Sequence, residues 1–321
     1  MCSRWIKNLA VCAVSALLAT GLLGCGSASQ SDGGGTATAT KSGDSRGPGV
    51  GKPPVTLGTK NFTEQLILGQ LYAQALRAKG FRVTLRSNLG DSEVVHRELS
   101  AGRIGGYPEY TGTILSVLAH DSRRPRSAEE AYQRAAQFER GRGVALLAMG
   151  SAEDKDAVIA KPSYAARHGL RSLADLSRLG SSAALAGPPE FRTRFDGMVG
   201  LKQEYGVTDL RFMPLKIGQQ YPALDTGAAQ LAVVFTTDGN LSEGGLTLLE
   251  DPRNIFGFQN VTFAVRSDVV DREGPAFSQT INAVTHELST QALRVMNASV
   301  DLDQQSPAVV AHQFLVASGL S

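Results

Sequence analysis

Cysteine is almost missing from this sequence, and where it occurs matters as much as its number. The 321 residues contain three cysteines, Cys2, Cys12 and Cys25, and none follows Cys25. The rest of the chain therefore has no disulfide framework, no CxxC metal site and no cysteine nucleophile. Tryptophan is scarcer still, since Trp5 is the only one.

The residue patterns of catalysis and metal binding are missing as well. The sequence has no HExxH, no GxSxG and no GxGxxG placed after a strand. No acidic pair is marked out by its context as a general acid and base. The five histidines lack the spacing of metal ligands, and they are His96, His120, His168, His286 and His312. We therefore expect neither an enzyme nor a protein with a metal or another cofactor.

A large excess of one charge is also lacking. The chain has 32 basic and 30 acidic residues, a net charge of +2, and no basic block interleaved with aromatic residues. This distribution argues against a nucleic-acid partner. Hydrophobic residues make up 42% and charged residues 19%, which is a globular composition with room for two modest domains.

The first residues do carry a recognisable pattern. Arg4 and Lys7 precede an apolar run over residues 9–23, which is shorter than the roughly 20 residues that span a bilayer comfortably. LLGC follows at residues 22–25 and resembles a bacterial lipobox. We predict a lipoprotein signal peptide over residues 1–24 and lipidation of Cys25; the alternative is an ordinary signal peptide that ends near a cysteine.

A segment poor in large apolar side chains comes next. Residues 26–54 are rich in Gly, Ser, Thr and Ala, so they cannot bury enough surface to offset the entropy lost on ordering. We predict that residues 25–54 form a flexible linker from the lipid anchor. The chain would then be extracytoplasmic and attached to the cell membrane.

Short apolar runs alternate with helical patterns from Val55 onward. A first helix is indicated after Asn61, which with Glu64 has the spacing of a capping box, and it ends near Gly80. A second helix begins near Asp91 or Ser92. We predict strands over residues 55–59, 81–88, 156–161, 182–187, 210–217, 229–237, 246–251 and 261–266, and helices in the tail over residues 275–315. The alternation predicts an α/β fold with mostly parallel sheets.

The stretch YPEYTGT, residues 107–113, concentrates aromatic and hydrogen-bonding groups at one turn. It is compatible with an ordinary strand end, in which Thr111 or Thr113 caps a helix and the tyrosines are core residues. The second interpretation is the wall of a ligand site. The residues of this stretch do not decide between the two by themselves.

Several linked segments together resemble one known family. They are GTKNFTEQLILGQLYAQAL, SNLGDSEVVHREL, GYPEYTGTIL, GPPEFRTRFDGMVGLKQEYG and FTTDGNL, in this order. They are similar to the substrate-binding proteins of ABC importers for the osmoprotectants glycine betaine, carnitine and choline. The resemblance covers nearly all of residues 55–321.

The resemblance implies a two-lobed periplasmic-binding-protein fold of type II with an interlobe ligand cleft. Lobe 1 would comprise residues 55–153 and 262–321, and lobe 2 residues 154–261. Two crossing strands would form the hinge. The partners implied are a small quaternary amine and a membrane permease, and such receptors usually act as monomers.

The resemblance also assigns ligand-binding residues. A trimethylammonium group has no N–H to donate, so it is held by aromatic faces, while a carboxylate at its other end needs cations and hydroxyls. By position, Tyr110 matches a cage tyrosine. Lys60, Thr113 and Arg194 match residues that bind the carboxylate. The stretch YPEYTGT then becomes a cleft wall, with Tyr107 and Glu109 more structural than ligand-binding.

Three positions of lobe 2 depart from the family pattern of cage tyrosines. They hold Asp156, Phe235 and Gln259, of which only Phe235 keeps an aromatic face. Phe258 is an alternative to Gln259 if the alignment slips by one residue. The reduced cage leaves open a second ligand class, a hydroxyl-rich or amine solute bound by Asp156, Gln259 and Arg194. An enzyme on the same fold and a sensor domain are further alternatives.

Overall fold

The structure is a computed structural model that describes residues 47–121 and 123–321. The predicted signal peptide, Cys25 and most of the predicted linker lie outside the described residues. The strands are β1 (Val55–Gly58), β2 (Val83–Arg86), β3 (Gly106–Tyr110), β4 (Val144–Leu146), β5 (Asp156–Ala160), β6 (Ala184–Gly187), β7 (Arg211–Pro214), β8 (Leu231–Phe235), β9 (Thr247–Leu248) and β10 (Val261–Arg266).

The α-helices alternate with these strands up to β8 and then form the tail. They are α1 (Thr63–Ala78), α2 (Ser92–Ser100), α3 (Thr111–Thr113), α4 (Ala128–Arg140), α5 (Pro162–His168), α6 (Gly200–Tyr205), α7 (Gln220–Thr226), α8 (Ser267–Glu273), α9 (Pro275–Glu287), α10 (Thr290–Asp301) and α11 (Pro307–Ala317). Within the described ranges, no helix combines the length and apolar character needed to cross a membrane.

The strands form two five-stranded sheets. The first has the order β2-β1-β3-β10-β4 and the second β7-β6-β8-β5-β9. In the first sheet β1 is parallel to β2 and β3, whereas β10 is antiparallel to β3 and β4. The second sheet repeats this mixture, with β6 parallel to β7 and β8 and β5 antiparallel to β8 and β9. The predicted α/β class is confirmed, but the sheets are mixed rather than mostly parallel.

Each sheet has its own hydrophobic core. Helix α1 packs against α9, α10 and α11, and its Tyr72 ring meets Phe263 of β10 edge-on at 4.9 Å. Val158, Leu185 and Val233 belong to the core of the second sheet. Burial of one such side chain stabilises the fold by about 1.5–3 kcal/mol. The space between the sheets is therefore bounded by two separately packed cores.

Two antiparallel segments connect the sheets. The chain leaves the first sheet after β4 and returns to it before β10, and Glu153 bridges Asn260 where the two segments run side by side. The Gly150 amide donates to the Val261 carbonyl at 2.8 Å, and the Asp154 amide donates to the Gln259 carbonyl at 3.0 Å. These paired segments lie where the sequence predicts a hinge of two crossing strands.

Some local predictions were wrong for identifiable reasons. Helix α1 begins after an extended Phe62 without a side-chain cap, because the Glu64 carboxylate turns inward to other partners. Neither Thr111 nor Thr113 is a cap, since both lie inside α3. Strand β4 was missed, because its three residues follow a glycine-flanked turn. Asp91 does cap α2, as its carboxylate accepts from the Val94 amide at 3.0 Å.

The end of the predicted linker that the structure describes contacts the first lobe. The Gly49 amide donates to the Lys79 carbonyl at 2.9 Å, and the Val55 amide donates to the Arg82 carbonyl at 2.9 Å. Lys52 donates from Nζ to the Arg272 carbonyl at 3.1 Å. Residues 47–54 are therefore held against the ends of α1 and α8.

Candidate ligand-binding cleft

A cleft between the two sheets encloses about 630 Å³ of open space, including the part that opens to solvent. Its walls come from the loops after β1 and β3, from the start of β5 and from the end of β8. It brings together all seven residues that the resemblance singled out, namely Lys60, Tyr110, Thr113, Asp156, Arg194, Phe235 and Gln259. Residues far apart in sequence thus share one site.

An aromatic wall runs along one part of the cleft. The rings of Phe62 and Phe235 stack with centroids 5.2 Å apart, and those of Phe62 and Tyr110 are 6.4 Å apart. We call these three residues the aromatic wall. Phe62 was missed by the sequence reasoning, although it lies two residues after Lys60 in the same segment. The wall brings together aromatic rings from both lobes, and aromatic rings attract a quaternary ammonium.

Lys60 is buried in an ion pair with Glu109. Its ammonium contacts the Glu109 carboxylate, donates to Ser92 Oγ at 3.3 Å and lies 4.4 Å from the centroid of the Tyr110 ring. Burial lowers the pKa of Lys60, and the Glu109 carboxylate opposes that shift. Glu109 is fully buried, so this partner neutralises the lysine charge within the wall of the cleft.

The hydroxyl group of Tyr110 is also committed to a protein partner. It donates to Glu64 Oε1 at 2.8 Å, and Glu64 Oε2 accepts from Asn297 Nδ2 at 3.0 Å. Burial and the neighbouring Glu64 carboxylate raise the pKa of the Tyr110 phenol well above its usual value. The network fixes the orientation of the Tyr110 ring and engages its hydroxyl with a protein carboxylate.

Thr113 and Gln259 bind each other. The Thr113 amide and hydroxyl both donate to Gln259 Oε1, at 2.9 and 3.2 Å, and Gln259 Nε2 donates to the Phe256 carbonyl at 3.3 Å. These contacts tie α3 to the segment that returns from the second sheet. Phe258 contacts Ile114 and its apolar neighbours instead of the cleft, so the structure favours Gln259 over Phe258 at the cleft position.

Arg194 contacts the opposite lobe. Its Nη2 donates to Glu93 Oε2 of α2 at 2.7 Å, and two residues later Asp196 Oδ2 accepts from Ser116 Oγ at 2.8 Å. Both contacts join the loop after β6 to the first lobe. One nitrogen of the arginine fork, Nη2, is therefore engaged by a carboxylate, while the buried Nε has no partner among the described residues. The two lobes touch across the cleft through this contact.

Asp156 has a free carboxylate. It is partly buried and pairs in register with Phe235 across β5 and β8, beside the aromatic wall. Within residues 47–121 and 123–321, no donor lies within hydrogen-bond distance of its carboxylate oxygens. Burial, reinforced by the Asp196 carboxylate, raises the pKa of Asp156 well above its usual value. Burial raises the pKa of Asp154 and Asp196 as well.

Two mixed sheets, paired connecting segments and an interlobe cleft with aromatic and charged walls define a two-lobed periplasmic binding protein. Among the residues that the structure describes, no group of three or more His, Cys, Asp or Glu side chains could hold a metal ion. A crystal structure described as a glycine betaine/carnitine/choline ABC transporter superposes with a TM-score of 0.67 at 24% identity. The superposition covers 83% of this chain and 99% of that one.

Sequence comparison identifies the family. Residues 53–317 match the substrate binding domain of the ABC-type glycine betaine transport system, and the chain belongs to this family. The glycine-betaine-binding protein of Pseudomonas aeruginosa is 33% identical over 273 residues, which cover 81% of this chain and 86% of that protein. The glycine betaine-binding protein YehZ of Escherichia coli is 26% identical, with coverage of 83% and 91%. The predicted resemblance and fold are thereby confirmed.

Proposed function

We propose that this chain is the extracytoplasmic receptor of an ABC importer that takes up quaternary-amine osmoprotectants of the glycine betaine and choline type. The observation that carries the proposal is the aromatic wall of Phe62, Tyr110 and Phe235, which faces carboxylates in a cleft formed by both lobes. A desolvated cation over an aromatic face gains about 0.5–2 kcal/mol. Three such faces beside Asp156 suit a methylated ammonium head.

Capture would occur by closure of the lobes around the ligand. The proposed lobes are residues 55–153 with 262–321 and residues 154–261, and the connecting segments around the Glu153–Asn260 bridge would act as the hinge. Because the wall takes Phe62 and Tyr110 from one lobe and Phe235 from the other, a ligand contacts all three rings only when the lobes meet. Differential affinity for the closed state then drives closure.

Delivery completes the proposal. The closed receptor would dock on a membrane permease and release the ligand there. We propose that Cys25 carries the lipid that keeps the receptor at the membrane, with residues 26–46 as the tether, and that the receptor acts as a monomer. Globomycin treatment or a Cys25→Ala change should release the protein from membranes; continued membrane association would contradict the lipid anchor.

Calorimetric titration tests ligand binding. We expect saturable binding of choline or glycine betaine, and we expect Phe62→Leu to weaken it by about 1 kcal/mol, because leucine keeps the apolar area and loses the π face. Tyr164→Leu is the matched control, since Tyr164 stacks on His168 outside the cleft. Absence of binding for every quaternary amine would overturn the proposed function. Equal effects of the two substitutions on affinity would show that the aromatic wall does not contact the ligand.

A further inference from the structure

Carboxylates outnumber cations in the cleft. Five acidic residues and two basic residues line it: Asp91, Asp154, Asp156, Glu190, Asp196, Lys60 and Arg194. Lys60 is neutralised by the buried Glu109, and Arg194 by Glu93. Lys60 is therefore committed to a protein carboxylate, whereas Arg194 contacts Glu93 through Nη2 only and keeps a buried Nε without a hydrogen-bond partner among the described residues.

The acidic residues of the cleft differ in whether their carboxylates already have hydrogen-bond partners. Asp91 caps α2, Asp154 accepts from the Thr237 hydroxyl at 2.8 Å, and Asp196 accepts from Ser116. In the described part of the chain, Asp156 and Glu190 have no side-chain hydrogen-bond partner. Of these two, Asp156 is the one paired in register with an aromatic residue of the wall, Phe235.

A neighbouring cavity extends the acidic surface. It shares Phe62, Asp154 and Phe235 with the cleft. Its described lining contains no Lys or Arg and includes the carboxylates Glu64, Asp154, Asp225, Asp238 and Asp301. Once ionised, these carboxylates repel one another in the partly desolvated space, and field lines focus within such clefts. A cation relieves the repulsion, whereas another carboxylate adds to it.

We propose that this receptor selects its ligand by net charge, taking organic cations that lack a carboxylate in preference to zwitterions, and that Asp156 is the residue that sets this preference. The inference rests on the proposed function and narrows its ligand class. A zwitterion would have to place its carboxylate among five acidic groups and share Arg194 with Glu93, or displace Glu109 from Lys60. Displacing Glu109 would leave a buried charge without a partner, which is strongly unfavourable.

Choline and glycine betaine are a matched pair for the test. They share the trimethylammonium head and a two-carbon length, so the contribution of the aromatic wall cancels in the ratio of their dissociation constants. Titration calorimetry of the full-length protein in detergent should give a Kd for choline at least tenfold below that for glycine betaine. A Kd for glycine betaine equal to or below that for choline would overturn the inference and leave the proposed function standing.

Substitutions then test the role of Asp156. Asp156→Asn should weaken choline binding at least tenfold, leave glycine betaine binding unchanged or tighter, and so abolish the preference. Asp156→Glu keeps the charge and should retain the preference. Asp271→Asn, an exposed carboxylate on α8, is the control and should change neither constant.

The remaining outcomes are also decisive. If Asp156→Asn weakened the binding of choline and of glycine betaine equally, Asp156 would support the structure of the cleft without discriminating ligands by charge. That result would overturn the role given to this residue. Failure of the unsubstituted protein to bind any quaternary amine would overturn the proposed function itself, together with the inference. Melting curves of each variant identify a substitution that merely unfolds the protein. If Asp156→Asn unfolds, Asp156→Glu is the deciding variant, and loss of its preference for choline would overturn the inference.

Discussion

Glu109 is buried next to the aromatic wall and positions two residues of the cleft, Lys60 and Tyr110. Sequence reasoning assigned it to structure, and it is the buried partner of Lys60. Its Oε1 also accepts from the Tyr110 amide at 2.8 Å. One carboxylate therefore neutralises the cleft lysine and fixes the backbone of the tyrosine that belongs to the aromatic wall.

Removal of this carboxylate should be costly for the fold. Glu109→Gln leaves the buried Lys60 without its counterion, and breaking one side of a buried pair typically costs about 3–5 kcal/mol. Urea unfolding should show a loss of this order in the free energy of unfolding. Glu98→Gln removes a surface partner of Arg86 and Arg103 and should cost clearly less. Equal losses would show that the Lys60–Glu109 pair contributes no more than a surface contact.

The residues also show what a sequence can and cannot predict about this site. The resemblance of whole segments to the family predicted that Lys60, Tyr110 and Arg194 share one cleft. It could do so because related chains follow the same backbone path, so matching segments occupy matching places in the fold. The partners Glu109 and Glu93 were not predicted, since they lie 49 and 101 residues away in sequence. Side-chain pairing over such distances depends on lobe packing, which local periodicity does not encode.

At the scale of helices and strands, the hydrophobic periodicity predicted that an element exists better than it predicted where the element ends. β10 has the predicted bounds, whereas the predicted strand over residues 81–88 shrinks to Val83–Arg86. The capping box at Asn61 failed because Glu64 finds partners in Tyr110 and Asn297, a tertiary demand that overrides a local cap. The antiparallel orientation of β5 and β10 in their sheets could not be predicted, because the direction of each strand depends on how the chain passes between the lobes.

The loop after β6 and helix α2 form a contact whose loss should loosen the closed state. Glu93→Gln removes the charge that pairs with the partly exposed Arg194, and such pairs contribute about 0.2–1 kcal/mol. The equilibrium constant between the proposed closed form and the open form should fall by up to about fivefold, and small-angle scattering without ligand should show a larger radius of gyration. Glu129→Gln on the outer face of α4 is the control. An unchanged radius in Glu93→Gln would mean that other contacts hold the lobes together.

Across the whole molecule, several carboxyl groups favour the protonated form. Burial raises the pKa of Asp154 and Asp156 well above the usual range, and it raises that of Asp238 to about 6. A folded state with raised acid pKa values binds more protons than the unfolded chain. Its stabilisation relative to the unfolded chain is complete below the unfolded pKa, about 4, and is lost as pH rises through the folded values.

Ligand binding should therefore depend on pH in a definite direction. The charged groups that act on the pKa of Asp156 are Asp196, Arg194, Glu190 and Asp238, three of them acidic. A cation stabilises the ionised carboxylates, so choline affinity should rise between pH 5 and pH 8, by at most about tenfold per pH unit for each proton released. Glycine betaine should show a smaller rise. Calorimetry in buffers of different ionisation enthalpy counts the protons, and a choline affinity independent of pH would contradict the expectation.

The paired segments around Glu153 and Asn260 have one more consequence, for the way the molecule can move. Two chains joined by main-chain hydrogen bonds form a ribbon, which bends across its flat face at little cost. Sliding one chain along the other would stretch the bonds at Gly150 and Asp154, so that motion is stiff. A connection with one soft direction leaves the two lobes close to a single degree of freedom. Each of the proposed closures would then bring the same rings and carboxylates to the same places, and little orientational entropy would remain to be lost on capture of a small solute.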